Sequence, residues 1–142
     1  MRFMVLVKAD EQSEAGVLPT REVVEAMGRY NDELVKAGVL LAGEGLRSSA
    51  DGARVSFAGG RATVTDGPFA EAKELIAGYW LLQVSSKEEA VQWATRIPFE
   101  DGAVELRQVF EAGDFPADVL SPELAAKEQA FRDERLRNAA KP

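Results

Sequence analysis

The chain contains no cysteine and no histidine among its 142 residues. The first absence removes disulfides, thiolate nucleophiles, cysteine-bound zinc and iron–sulfur clusters. The second removes imidazole-activated serine or cysteine nucleophiles, the HExxH zinc site and histidine-ligated haem. Any catalysis then rests on carboxylates, Lys, Tyr, Arg, backbone amides or an oxygen-ligated metal. Positive charge is also scarce: 17 Lys and Arg against 24 Asp and Glu leave a net charge of −7. No basic cluster tracks a phosphate backbone, so no nucleic-acid partner is expected. No run of about 18 apolar residues exists, so no membrane span is expected either. The first apolar stretch, Phe3 to Val7, meets charge at Lys8 and Asp10 and lacks the small-residue end of a signal peptide. It reads as the first strand of a cytoplasmic protein.

What is present suits one domain with a real core, since a chain of this length buries roughly two-thirds of its extended surface. Residues 2–7 form an inner strand, and the polar stretch after them, punctuated by Gly and Pro, reads as loop. Thr20 caps a helix from Arg21 to about Ala37, with Val23, Met27, Tyr30 and Leu34 on its inner stripe and Gly38 at the C-terminal turn. Val39 to Ala42 is a short strand opening into the bend Gly43-Glu44-Gly45. Gly59-Gly60 then closes a hairpin in which Phe57 faces Ala62 and Val55 faces Val64, while Ser56 meets Thr63 and Arg54 meets Thr65. Leu75 to Val84 is the most apolar stretch and reads as a central strand, with Gly78 marking a bulge.

Ser86 and Glu89 form a capping-box pattern before Ala90, Trp93, Ala94 and Ile97, and Pro98 stops that helix. Ala103 to Phe110 is the last strand, with Val104 and Leu106 on one face and Glu105 and Arg107 on the other. The order predicts an α+β protein: a ferredoxin-like βαββαβ antiparallel sheet with two helices on one face and an added β-hairpin. The uncovered sheet face calls for a second copy, hence a homodimer. This domain spans 1–111. Residues 112–142 are a connector and a helical arm that begins at Ser121-Pro122 and runs to about Asn138. The arm has Glu128–Arg132 and Asp133–Arg137 spacings for ion pairs and a thin stripe of Leu124, Phe131 and Leu136, which suits a surface or dimer-spanning element.

The densest ionisable chemistry follows Asp66-Gly67-Pro68-Phe69, itself an ordinary turn composition. Glu71, Lys73 and Glu74 come immediately behind it. Two carboxylates and an amine held close shift one another's pKa, which makes Asp66, Glu71 and Glu74 candidate catalytic groups and Lys73 a candidate ligand contact. A solvated charged loop accounts for the same pattern. These acids are hard ligands of the kind magnesium or calcium accepts, but their spacing matches no calcium loop, and no metal site or cofactor is expected. Gly43-x-Gly45 reads as a bend rather than a nucleotide loop. Tyr30, Tyr79 and Trp80 have core packing as their default, with Tyr30 also a candidate ligand contact. Arg107, on a face that a dimer would close, needs a carboxylate such as Glu105 or Glu44, or an anionic ligand. Arg107 and Glu105 therefore join the ligand-binding candidates.

The stretch DGPFAEAKELIAGYWLLQVSSKEEAVQWA, with Pro98 and GAVELRQV at 102–109, closely resembles the DGPF branch of the YCII-related proteins. RFMVLVKAD and AGVLLAGEGL match as well, so the resemblance covers residues 1–110 and leaves out the C-terminal arm. It implies a bacterial protein with the dimeric α+β barrel arrangement, two ferredoxin-like sheets face to face. The wider superfamily includes small-molecule isomerases, monooxygenases and a dehydrochlorinase. DGPF proteins are mostly uncharacterised and often resemble companions of extracytoplasmic-function sigma factors. A His–Asp pair has been suggested as catalytic in the short YCII-like proteins; this chain has no His, so that mechanism does not carry over. Gln108 stands where Pro is common, which alters the end of the last strand. The family's recurrent polar positions correspond to Asp66, Glu71, Lys73, Glu74, Glu105 and Arg107. Two readings follow. One is a homodimer binding a small organic molecule in a sheet/helix cleft, with carboxylate acid/base chemistry. The other is a non-catalytic regulatory or interaction protein of a sigma-factor system.

Overall fold

A computed structural model describes residues 1–70 and 74–139. The chain runs β1 (Arg2–Lys8), α1 (Glu11–Glu14), α2 (Arg21–Lys36), β2 (Leu40–Gly45), β3 (Ala53–Ala58), β4 (Arg61–Asp66), β5 (Ile76–Gln83), α3 (Lys87–Thr95), β6 (Val104–Gln108) and α4 (Pro122–Ala139). Strands β2-β5-β1-β6 form one four-stranded sheet in that order. All its pairings are antiparallel, and β1 and β5 take the centre. This is the ferredoxin-like α+β arrangement that the element order predicts.

Period-two alternation builds the core. On β1, Phe3 and Val5 point to the helices, opposite Leu82 and Trp80 of β5. From above, α2 contributes Tyr30 and Leu34, and α3 contributes Ala90. Leu34 and Leu82 are completely buried, each such side chain contributing about 2 kcal/mol of apolar transfer energy. The helix α2 starts as expected, with Thr20 Oγ1 accepting from the Val23 amide at 3.3 Å, and ends before Gly38 in the left-handed region at φ 72°.

Three local details depart from the sequence reading. Residues 11–14 are helical, because Asp10 and Ser13 satisfy each other's backbone amides in a capping box; a single turn is too short to show periodicity. In α3 the Ser86 hydroxyl accepts from the Glu89 amide at 3.1 Å, but the Glu89 carboxylate reaches back one residue further, to the amide and hydroxyl of Ser85, both at 2.7 Å. Those two bonds hold its pKa below the usual carboxylate value. The irregularity of β5 lies at Ala77, skipped between the pairs Val7–Gly78 and Lys8–Ile76, so Gly78 is its neighbour. Gly78 itself is a close-approach position, where a Cβ would meet the Glu44 carbonyl oxygen at 2.8 Å.

The hairpin has the register read from its sequence: Val55 opposite Val64, Phe57 opposite Ala62, and Gly59-Gly60 with positive φ as the turn. It forms its own two-stranded sheet, with no ladder to the larger one. Its apolar side chains stay in solvent, Phe57 76% and Val64 65% exposed.

The C-terminal helix comes back to the domain. Glu111 accepts from Arg2 at 2.7 and 3.2 Å and from Arg132 at 3.3 Å, so one carboxylate joins β1 to α4. Arg132 thus takes Glu111 as its partner, and Asp133 accepts from Gln129 at 2.9 Å. Held this way, α4 faces the uncovered side of the sheet at Met4, Tyr79 and Leu81. Among the described residues no helix is long and apolar enough to cross a membrane.

Candidate functional site

A cleft of about 820 Å³ opens between α2 and the ends of β2 and β5. Trp80 forms its floor. The indole lies against β2 because its cross-strand neighbour is Gly43; a Cβ there would come within 2.9 Å of Trp80 Cδ1. The Tyr30 ring meets the indole edge-on at 5.5 Å and 84°, and Phe99 closes another side at 6.4 Å. Val7, Met27 and Leu46 add apolar wall.

A polar side chain is tied to that floor. Trp80 Nε1 donates to Asn31 Oδ1 at 2.8 Å. An indole nitrogen only donates, so the amide oxygen must face it, and the Asn31 NH₂ is the donor that the cleft wall offers. Glu44, Arg47 and Asp51 stand at the rim, with Arg47 and Asp51 paired at 3.0 Å. A planar or apolar body on the indole, with an acceptor toward Asn31, matches this mixture.

The turn Ser48–Asp51 connects the rim to α1 and to the DGPF loop. Ser48 Oγ donates to the Glu14 carbonyl at 2.6 Å. The Glu14 carboxylate accepts from the Ser49 amide at 3.0 Å and from the Ser49 hydroxyl. Ser49 Oγ in turn accepts from the Phe69 amide at 3.0 Å. Gly67 donates to the Gly52 carbonyl at 3.0 Å, and its Cα packs so tightly on the turn that a Cβ would fall 1.6 Å from the Ser49 oxygen. The Arg54 guanidinium covers the Phe69 ring at 4.2 Å. The Asp-Gly-Pro-Phe composition is thus explained first by docking: Gly because nothing larger fits, Phe because it is clamped.

The residues singled out from sequence occupy separate places. Asp66 ends β4, opposite Ala53, and is exposed. Glu74 is exposed just before β5, and neither lines the cleft. Glu71 and Lys73 lie outside the described residues. Glu105 and Arg107 sit on the sheet face opposite Trp80 and pair with each other at 3.5 Å, the Glu105 partner considered for that arginine. Tyr30 lies behind the indole, with its hydroxyl donating to the Trp93 carbonyl at 2.8 Å. Burial pushes its pKa up to about 12, opposed by Arg96 and assisted by Glu33. Among the described residues no group of three or more acidic side chains gathers as for a metal. Asn31, Glu14 and the Ser48-Ser49 pair escaped the sequence reading. Asn31 follows the core residue Tyr30 and so falls at the edge of the inner stripe, which is the one signal that points to it.

The geometry defines a class: a ferredoxin-like α+β protein with an aromatic-floored cleft between sheet and helix. A model of the YCII-related domain matches residues 1–113. The chain belongs to the YCII-related family. No curated protein matches it.

Proposed function

We propose that this YCII-related protein, of the DGPF branch, is a cytoplasmic homodimer that binds a small organic molecule in the Trp80 cleft. The observation that carries this is the pairing of a broad apolar floor with one oriented donor, the Asn31 amide, in a cleft of about 820 Å³, within the range of small-molecule sites. The ligand has a flat or aliphatic body and a carbonyl or similar acceptor. The described part of the DGPF loop is anchored to the Ser48–Asp51 turn that forms the cleft rim. That supports assigning acid/base work on the ligand to the loop's Glu71, with Lys73 as charge partner, since Glu74 stands away from the cleft. The second copy covers the exposed apolar face of the β3–β4 hairpin and the sheet surface around Leu6, Glu105 and Arg107, which are not among the residues lining the space beside α4.

The test is a thermal-shift screen of small carbonyl compounds, with native mass spectrometry for any co-purified molecule. Ligands that raise Tm in the parent protein should lose the effect in Gly43→Val, where the added side chain displaces the indole, and change it in Glu71→Gln and Lys73→Ala. Equal shifts in Gly43→Val would remove the cleft from consideration. Light scattering should give twice the monomer mass.

A further inference from the structure

We propose that the space between the open face of the sheet and α4 is a second binding site, one that takes an organic anion with an apolar body. This site is independent of the Trp80 cleft, which lies against the helix-facing side of the same sheet. The space measures about 500 Å³. Met4, Leu81 and Ala42 form an apolar floor on β1, β5 and β2, and Leu136 of α4 faces them. Among the described residues three guanidinium groups, Arg2, Arg132 and Arg135, line the same space with a single carboxylate, Glu111.

The charge arithmetic is unusual for this chain. Its net charge is −7, yet the described residues of this cleft bring three cations against one anion. Arg2 and Arg132 already share Glu111, and Arg135 is placed over the Phe131 ring at 5.6 Å. Arg2 is largely withdrawn from water, its side chain 16% exposed, and its acceptors are the Glu111 carboxylate and the Phe110 carbonyl, which leaves Arg132 and Arg135 as the cations that face an incoming ligand. A carboxylate entering along the floor would give Arg132 and Arg135 a forked partner from adjacent turns of one helix, with its hydrocarbon on Met4 and Leu81. The planar fork of Arg matches a carboxylate in two parallel bonds, which a point cation does not. A neutral ligand of the same shape would cover the floor and leave the arginines as they are. Charge is therefore the discriminating property.

The experiment uses 1-anilinonaphthalene-8-sulfonate as the fluorescent probe and compares its displacement by octanoate and by octan-1-ol. The expected result is saturable binding of about one probe per chain, displaced by octanoate well before octanol. Loss of both charge-assisted contacts in the double variant Arg132→Gln/Arg135→Gln should weaken binding about tenfold or more. Because Arg132→Gln also removes a Glu111 contact and risks releasing α4, Arg135→Glu is the second variant. That substitution leaves the Glu111 bridge intact and should weaken octanoate by a similar factor while circular dichroism and Tm stay unchanged. Gly43→Val should leave probe binding as it was. Octanol competing as well as octanoate, or parent-like affinity in Arg135→Glu, would overturn the proposal. Loss of the probe in Gly43→Val would do the same, by placing it in the Trp80 cleft.

Discussion

Trp80 Nε1 reaches Asn31 Oδ1 at 2.8 Å, so a central strand and the first long helix are joined by one side-chain hydrogen bond at the floor of the Trp80 cleft. Asn31→Leu removes the acceptor and leaves a mostly buried indole N–H without a partner. The expected cost is about 1–2 kcal/mol, read from urea denaturation, together with a changed Trp80 emission. Asn31→Asp keeps an acceptor in place and should recover most of the loss. Equal destabilisation by both variants would show that the hydrogen bond contributes nothing beyond packing.

Gly67 and Gly45 form a controlled comparison. A Cβ on Gly67 would lie 1.6 Å from the Ser49 carbonyl oxygen, whereas one on Gly45 meets nothing within 4 Å. Gly67→Ala must displace the loop or the turn, and should cost about 2–4 kcal/mol. Gly45→Ala should stay within about 0.5 kcal/mol of the parent. Chemical denaturation of the two variants side by side measures the difference.

Glu14 holds the Ser48–Asp51 turn through the Ser49 amide and hydroxyl. In Glu14→Ala both donors lose their acceptor, for an expected loss of about 1–3 kcal/mol. Limited proteolysis should then cut sooner between residues 46 and 52 than in the parent. A cutting pattern identical to the parent's would mean the turn is held by its remaining bonds, from Ser48 to the Glu14 carbonyl, from Phe69 to Ser49 and from Gly67 to Gly52.

Tyr30 sets a limit at high pH. Its hydroxyl titrates near 10.0 when unfolded and near about 12 when folded. Between those values the unfolded chain has already released a proton that the folded chain retains, so stability falls as pH rises from 10 to 12 and is fully present below 10. Tyr30→Phe lacks this group and should show a shallower decline of Tm over that window, while losing the hydroxyl's bond to Trp93 at neutral pH. Parallel curves for parent and variant would place the alkaline transition on other groups.

The fold was legible because periodicity and turn chemistry agreed. Trp80, Leu82 and Val84 alternate with Tyr79, Leu81 and Gln83, and Gly59-Gly60 fixes a register that both hairpin strands accept. The site was not legible in the same way. Asn31 and Glu14 act through partners distant in the chain, Trp80 and Ser49, and nothing in local composition announces a contact of that kind. The charged loop drew attention by density of ionisable groups, yet Gly67 and Phe69 show that its described part is held by packing. The exposed hairpin face has a related origin: alternation reports which side chains share a face, and carries no information about whether that face has a cover.

The hairpin's separateness has a kinetic consequence. Every ladder bond of β3 and β4 lies within the pair, and a two-stranded ribbon alone is marginal in water. Its amides should open without the rest of the molecule and exchange with deuterium early, while those of β1 and β5 wait for global unfolding. Slow exchange in residues 53–66 would therefore register a covering partner through the ribbon's own backbone, before that partner had been isolated.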